Sequence, residues 1–379
     1  MKIVTSDAGK CNTKAFAFNS DIKNENNPDG TISSYRIRTR CSDNGNFLSE
    51  RFSPATMIVQ IGDGPVMKVG KDATKDPSYI TSKLDKLHRD CVLTSFACLL
   101  GPGEHRDVIG CVTIPYESAK SVEECIEYKK FMLGEPGDEF RVKIKCSASS
   151  PVEECVFSLK KTLVYPEGEG ILYEYPLRFD EESGVQACVD IGNQDITFLL
   201  VNNGYVREEK SFTCEMGYRS LQSGLISALK NGLGLRVDED IIDNVVSVPK
   251  FNRMIPSTNK DVRLKSKEII DGYIREYVEK IKEKMDSKNW PSPDLMQYTF
   301  FGGVPNVMKQ ELMDMFGNPD PSELALPPSQ RKLLIPENSD MMNARGSLHM
   351  AASRFVEDGT AAAVGRALPF PEALEQMAR

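Results

Sequence analysis

"TSDAGKCNTKAF", residues 5–16, packs an aspartate, a glycine and two lysines into one short run. A glycine followed by lysine invites comparison with the phosphate-cradling loop G-x-x-x-x-G-K-[ST]. Here Gly9-Lys10 is followed by Cys11, and no second glycine stands at the required distance. The stretch is either a phosphate site of another kind or a plain surface turn. Two further stretches in the chain bear on the choice.

About 180 residues later the sequence reads Asp190-Ile191-Gly192-Asn193-Gln194-Asp195-Ile196-Thr197. Both turns follow a hydrophobic strand-like run, and both open D-x-G. A third glycine turn, "TFFGGVPN", places Gly302-Gly303 where a strand passes into a helix. Glycine lets a backbone turn tightly and brings its N–H groups close to a ligand. Successive N–H groups in such a turn form an anion nest. A carboxylate beside that nest repels phosphate unless a cation lies between them. Mg²⁺ suits the place, because it keeps most of its waters and takes only one or two carboxylates. Two D-x-G hairpins facing each other across a cleft would clamp a triphosphate and its metal. A Gly-Gly turn would offer a flat backbone surface to a base and ribose.

Bulk composition narrows the field. The chain has 379 residues, 40% of them apolar, enough for about two or three domains with a sizeable core. Its formal net charge of −8 argues against direct nucleic-acid binding, which needs Lys and Arg on the phosphates. A local basic cluster, Arg253, Lys260, Arg263, Lys265 and Lys267, reads as the solvated face of a helix. None of the ten cysteines forms C-x-x-C, and several sit in apolar runs such as "VIGCVTI" and "QACVDIG". They read as reduced thiols in a cytoplasm. The opening "MKIVTSDAGK" lacks the apolar region of a secretory signal. The three histidines have no partners at zinc-ligand spacing. No stretch reaches the roughly 18 apolar residues of a membrane span.

Residues 2–6 read as a strand, 20–47 as a polar, loop-containing tract, and "ATMIVQIGDGPVMKVG" (55–70) as a hairpin. Residues 82–101 and 121–133 have helical spacing, 106–115 is a buried strand, and "EFRVKIKCS" and "CVFSLKKTLVYPEGEG" alternate as strands. The tetrapeptide VEEC occurs at 122–125 and at 152–155, and its different contexts mark this as coincidence. A second unit opens near residue 184 with strand, Asn-Gly turn and strand. A helix ending at Gly232 follows, then a long helix over about 262–285. "LMQYTFFGGVPNVMKQELMDMF" is strand, glycine turn, helix, and a helix-like "NARGSLHMAASRF" lies near the end. The mixture is α/β with hairpins, unlike the strict alternation of a dinucleotide fold.

The order of these motifs resembles that of the actin, heat-shock chaperone and sugar kinase ATPase superfamily. Within it the likeness is to bacterial actin-like proteins of the ParM/StbA plasmid-segregation type. "DAGKCNTK" fits that group's first phosphate loop, D-x-G-x-x-N-x-K. "LVYPEGEGILYEY" (163–175) resembles the segment joining the two domains, and "CVDIGNQDITFL" the second phosphate loop. "CEMGYRSLQSGLISAL" resembles the helix after that loop, "FFGGVPNVM" the adenosine loop and "NARGSLHMAASRF" the final helix. Lys10-Cys11 stand where family loops often carry hydroxyls, and Asn193, Gln194 and Asp195 where Gly and Thr are common.

The resemblance implies a two-domain, ribonuclease H-like ATPase fold with a nucleotide cleft between the domains. Residues 1–179 and 338–379 would form domain I, with a small insertion over about 20–85, and 180–337 domain II. It implies that Asp7 and Asp190 hold Mg²⁺ through water. Gly9, Lys10, Cys11, Asn12, Lys14, Gly192, Asn193, Gln194, Gly302 and Gly303 would bind the nucleotide. Lys14 is placed near the β-phosphate, and Lys265 and Glu268 near the base. Glu167 would position the attacking water, with Glu169 as its rival. Cys11 is read as an inert small residue. The expected activity is a slow Mg-dependent ATPase (or GTPase) coupled to head-to-tail filament assembly. Such filaments would move plasmid DNA through a small DNA-binding adaptor, with no membrane involved. A small-molecule kinase and a chaperone-type ATPase are the alternatives within the superfamily. A membrane-linked actin would carry an amphipathic terminal helix, and neither "MKIVTSD" nor "GTAAAVGRALPFPEALEQMAR" is a good one.

Overall fold

The structure is a computed structural model and describes residues 2–21, 30–49, 52–53, 55–75, 83–317, 321–354 and 364. The 359–379 tail singled out above therefore lies outside the described residues, apart from Val364. So do parts of the 20–85 insertion. The chain divides into two compact units, Met1–Tyr175 with Met341–Arg379, and Pro176–Asp340.

The first unit is built on β1 (Lys2–Ala8), β2 (Asn12–Asn19), β3 (Thr31–Arg38), β4 (Cys41–Ser42), β5 (Thr56–Ile61) and β6 (Met67–Gly70). Then come α1 (Lys86–Leu100), β7 (Gly103–Ile114), α2 (Tyr116–Ala119), α3 (Val122–Leu133), β8 (Glu139–Lys145), β9 (Glu153–Pro166) and α4 (Gly170–Glu174). Its sheet runs β3-β2-β1-β7-β9-β8-β5-β6-β4. β1, β7 and β9 are parallel, while β2 and β3 join antiparallel on one side. Alternation along β1 explains why it is central. Val4 packs into the core beneath α1, whereas Ile3 faces the opposite cluster with Phe16, Phe18 and Ile109. Side chains on successive residues point to opposite faces, so a strand buried on both sides must be apolar at both parities.

The polar tract 20–47 contains a strand that composition hid. β3 pairs with β2 over eight residues. Ser33, Ser34 and Arg36 are exposed on it, while Ile37 is buried. Polarity here belongs to a strand that ends the sheet, where charged and small residues discourage further pairing. VEEC is helical at 122–125, yet Glu153–Cys155 opens a strand, so tertiary context overrides the local sequence.

The second unit contains β10 (Val185–Ile191), β11 (Ile196–Asn202), β12 (Tyr205–Val206), β13 (Phe212–Cys214), α5 (Tyr218–Leu233), α6 (Glu239–Val246), α7 (Lys260–Ser287), β14 (Met296–Gly302), α8 (Lys309–Phe316) and β15 (Leu333–Leu334). α9 (Met342–Ser353) closes the described fold and belongs to the first unit. The second sheet runs β12-β11-β10-β14-β15, with β13 also on β11. Leu221, Leu225 and Leu229 of α5 and Ile270, Ile274, Val278 and Ile281 of α7 fill its core. α5 runs one residue past Gly232 and ends on left-handed Gly234. α6 was not anticipated from sequence. Asp238 caps it by accepting from Ile241 N.

The two sheets share a plan. β3-β2-β1-β7-β9 and β12-β11-β10-β14-β15 have the same order. In each, the central strand carries two antiparallel strands on one side and two parallel strands on the other. In both, that central strand ends in Asp-x-Gly.

Candidate functional site

In the first unit, register puts four side chains in a row across the sheet. Lys14 of β2 stands opposite Asp7 of β1, and Thr113 of β7 pairs in register with Tyr165 of β9. Asp7 and Thr113 follow by the same register, since Ser6 pairs with Val112. Lys14 Nζ donates to Asp7 Oδ2 at 3.4 Å, and Thr113 Oγ1 donates to Asp7 Oδ1 at 3.0 Å. Asp7 is only 4% exposed. Burial alone would favour its protonated form, but Lys14, Lys83 and the Thr113 hydrogen bond together hold the carboxyl below the usual range. It is an ionised, buried carboxylate at the C-terminal end of a central strand, where α/β folds place ligands.

The turn between β1 and β2 is pinned from β3. Thr39 Oγ1 donates to Gly9 O at 2.7 Å, Thr39 N donates to Cys11 O at 3.0 Å, and the Thr13 and Thr39 hydroxyls meet at 3.0 Å. Arg38 Nη1 donates to Cys11 Sγ at 2.6 Å. A Cβ on residue 9 would come within 2.8 Å of Asn12 O, so the turn closes this tightly only with glycine. Lys10 is buried, while Asn12 is half-buried at the start of β2.

The carboxylate proposed to face water is held by a residue that sequence reading missed. Lys83 and Glu167 form an ion pair between Nζ and Oε1, with the lysine side chain 7% exposed. Glu167 N donates to Ile114 O at 2.8 Å, which fixes the backbone at the end of β9. Glu169 goes elsewhere. It lines a cavity of about 320 Å³ with Tyr165, Tyr173 and Arg354. The structure thus separates two glutamates only two residues apart. Lys83 and Lys10 also act on the Asp85–His88 pair at the start of α1, where burial lowers the His88 pKa and the two lysines lower it further. Tyr128 of α3 is buried, and its hydroxyl has no hydrogen-bond partner among the described residues. Burial, then Glu167, Asp7 and Asp85, push its pKa well up, so it stays protonated.

In the second unit Asp190 stands opposite Thr197 and beside Phe301. Where Asp7 faces a lysine, Asp190 faces a threonine. Its Oδ1 lies where a Cβ on Gly302 would sit, 2.3 Å from the ideal position. Gly302 also has φ +93°, a region that disfavours any side chain. Gly302 is thereby tied to the second D-x-G turn, and Ser339 Oγ donates to its carbonyl at 2.9 Å. The Gly192–Asp195 turn rests on the start of α5. Gly217 N donates to Gln194 O at 2.7 Å, Tyr218 N to Gly192 O at 3.0 Å and Arg219 N to Asn193 O at 2.9 Å. Gly303 is exposed, and α8 begins only at Lys309. The Gly-Gly pair therefore opens a turn and does not start the helix itself.

Lys265 and Glu268 are exposed near the start of α7. The basic cluster around them is not one solvated face. Arg253 is 3% exposed, and its Nη1 donates to Glu311 Oε1 at 2.9 Å. It also donates to Val307 O, clamping the chain that follows Gly303 to α8. Lys267 is half-buried and donates to Lys250 O at 2.8 Å. A count of like charges cannot distinguish a buried, paired arginine from a solvated one.

The donors fit a nucleotide with its metal. One buried, ionised carboxylate is what Mg²⁺ takes while keeping its waters, and Lys14 with the Gly9 turn offers a cation and N–H groups to phosphate.

No protein-family model and no curated protein matches the sequence. Solved structures do. An archaeal actin homologue, Ta0583, aligns with TM-score 0.70 and 17% identity over 93% of this chain and 100% of its own. The actin-like protein Alp7A aligns with TM-score 0.65 and 14% identity over 100% and 99%. The filament structure of Alp12 gives 0.63 and 19% over 93% and 99%. The fold is that of the actin-like proteins.

Proposed function

We propose that the chain is a filament-forming protein that binds a Mg–nucleoside triphosphate, ATP or GTP, and hydrolyses it slowly. The observation that carries this reading is the repeated device. In each unit the central strand of a five-strand stretch with the same order ends in a buried Asp beside a glycine turn. The names of the aligned structures support it. One is a filament of Alp12, and Ta0583 was also solved in complex with ADP.

Asp7 and Asp190 would hold the metal through its waters, and Mg²⁺ bound there would supply charge neutralisation for the phosphates. The Gly9–Asn12 and Gly192–Gln194 turns cradle the phosphates, Lys14 pairs with a phosphate oxygen, and Gly302 and Gly303 lie against the nucleoside. Lys265 and Glu268 take the base edge. Glu167 accepts a hydrogen bond from a water molecule. The water oxygen bonds to the γ-phosphorus as the bond to the β–γ bridging oxygen breaks. The electron pair leaves with the nucleoside diphosphate, and the water's protons end on phosphate and solvent. Such a reaction leaves a protein mainly positioning and charge stabilisation to supply.

Assembly is head-to-tail. Contacts of that kind are heterologous and open, so they propagate into helical filaments. We place the protein in the cytoplasm, where its ten free cysteines would stay reduced. Among the described residues no helix is long and apolar enough to cross a membrane. The cargo is plasmid DNA, reached through a small DNA-binding adaptor, which suits a chain of net charge −8. The aligned structures include ParM proteins. The deciding measurement is light scattering and pelleting with Mg-ATP, Mg-GTP and Mg-ADP, followed by electron microscopy. Triphosphate-dependent filaments are expected. An absence of nucleotide-dependent pelleting at tens of micromolar protein overturns the reading.

A further inference from the structure

We propose that Lys83 distinguishes a nucleoside triphosphate from a diphosphate by exchanging its hold on Glu167 for the terminal phosphate. This rests on the nucleotide reading above and adds to it a residue that no sequence motif contains.

Position is the first argument. Lys83 lies just ahead of α1, and its carbonyl accepts from Asp85 N at 2.9 Å. Asp85 in turn caps α1 by accepting from His88 N at 2.8 Å. Lys83 is therefore tied through its backbone to the capped start of a helix whose inner face is buried. It contacts Glu167 and also helps hold the Asp7 carboxyl ionised. If Asp7 marks the metal and phosphates and Glu167 marks the water, the transferred phosphoryl group lies between them. Lys83 contacts the second of these carboxylates and acts electrostatically on the first.

Charge is the second. A buried ammonium needs an anion, and in this structure Glu167 supplies one. A carboxylate oxygen engaged by an ammonium is a poorer acceptor for water. A γ-phosphate brings more negative charge to the same spot, and an ammonium has three donors that can turn towards it. Once Lys83 turns, Glu167 is released to accept from the attacking water. A diphosphate offers no such oxygens, so the ion pair re-forms. The Tyr128 hydroxyl, unpartnered among the described residues and within the field of both Glu167 and Asp7, is a donor for a polar guest at the same place.

The test uses the full chain and equilibrium binding, with no turnover. Fluorescent non-hydrolysable ATP and GTP analogues and the corresponding diphosphates are titrated with Mg²⁺. The proteins are wild type, Lys83→Met, Lys83→Arg, Glu167→Gln and the Lys83→Met/Glu167→Gln double variant. Lys83→Met is expected to lose on the order of tenfold or more in triphosphate affinity, the worth of one charged hydrogen bond, with diphosphate affinity held within about twofold. Glu167→Gln is expected to bind triphosphate several-fold more tightly, because Lys83 is no longer engaged, and the double variant should lose that gain. Equal effects on both nucleotides, or no gain from Glu167→Gln, overturn the proposal. If Lys83→Met does not fold, Glu167→Gln and Lys83→Arg decide it, the arginine keeping the triphosphate preference. A wild-type protein that binds neither nucleotide overturns the nucleotide reading itself, and this proposal with it.

Discussion

Asp7 shows how far a residue's chemistry follows from its place in a strand. Its partners Lys14 and Thr113 come from neighbouring strands, and the register alone puts them on one face. Replacing Asp7 by asparagine keeps the shape and removes the charge. Affinity for Mg–nucleotide is expected to fall by at least about tenfold, since a charged contact is lost, and metal-free nucleotide should lose less. Calorimetry with and without Mg²⁺ checks this. Glu167→Ala is expected to pellet with Mg–triphosphate as wild type does, yet release phosphate about 100-fold more slowly, in the range of losses for a positioned base. Equal phosphate-release rates would remove Glu167 from its role. Asp7, Lys14 and Glu167 could be singled out as candidates from sequence because each sits in a short local motif. Lys83 and Thr113 could not, because they lie 84 and 106 residues from their partners, and no periodicity reports such a contact.

At the scale of elements, α9 packs closely against α4. Gly346 lies so close to α4 that a Cβ there would come within 2.0 Å of the Gly170 carbonyl oxygen. That is backbone and cannot step aside, so Gly346→Ala is expected to cost about 1–3 kcal/mol, read from denaturant midpoints. The same junction buries a charge cluster. Arg345 Nε meets Glu174 Oε2 at 2.7 Å, and His349 Nε2 lies 3.4 Å from Glu174 Oε1. Burial, and then the Arg345 guanidinium, outweigh Glu174 and lower the His349 pKa to about 3. The unfolded chain binds this proton near pH 6.5 and the folded one only near pH 3. Stability from this group is therefore complete above about pH 6.5 and drains away as pH falls towards 3, by up to about 1.4 kcal/mol per pH unit. Urea midpoints between pH 7 and 5 should fall less for His349→Gln than for wild type. Most elements were legible, since α7, α5 and the central strands carry strong periodicity. β3 and α6 were not, one being a polar strand at the sheet's end and the other a helix of only eight residues.

For the whole molecule, the repeated sheet plan raises a question of number. Two units with equivalent Asp-x-Gly ends could bind two nucleotides or share one. Under the proposed function they share one, so titration should give one nucleotide per chain, and Asp7→Ala and Asp190→Ala should each weaken that single event. A stoichiometry of two would make the units independent sites. Bound nucleotide should also stabilise the fold by about 2.7 kcal/mol at 100 times Kd, seen as a rise in Tm. The sequence by itself determined the fold class, the two Asp-x-Gly turns, the Gly-Gly turn and the strands and helices that carry them. Those features are local, because turn chemistry and side-chain periodicity act over a few residues. Only the tertiary structure decided that Asp190 lies against Gly302, that Arg253 is buried on Glu311, that Glu169 faces a separate cavity and that Lys83 holds Glu167. Each of those joins residues far apart in the chain, and a buried charge takes its partner from whatever the packing brings within reach.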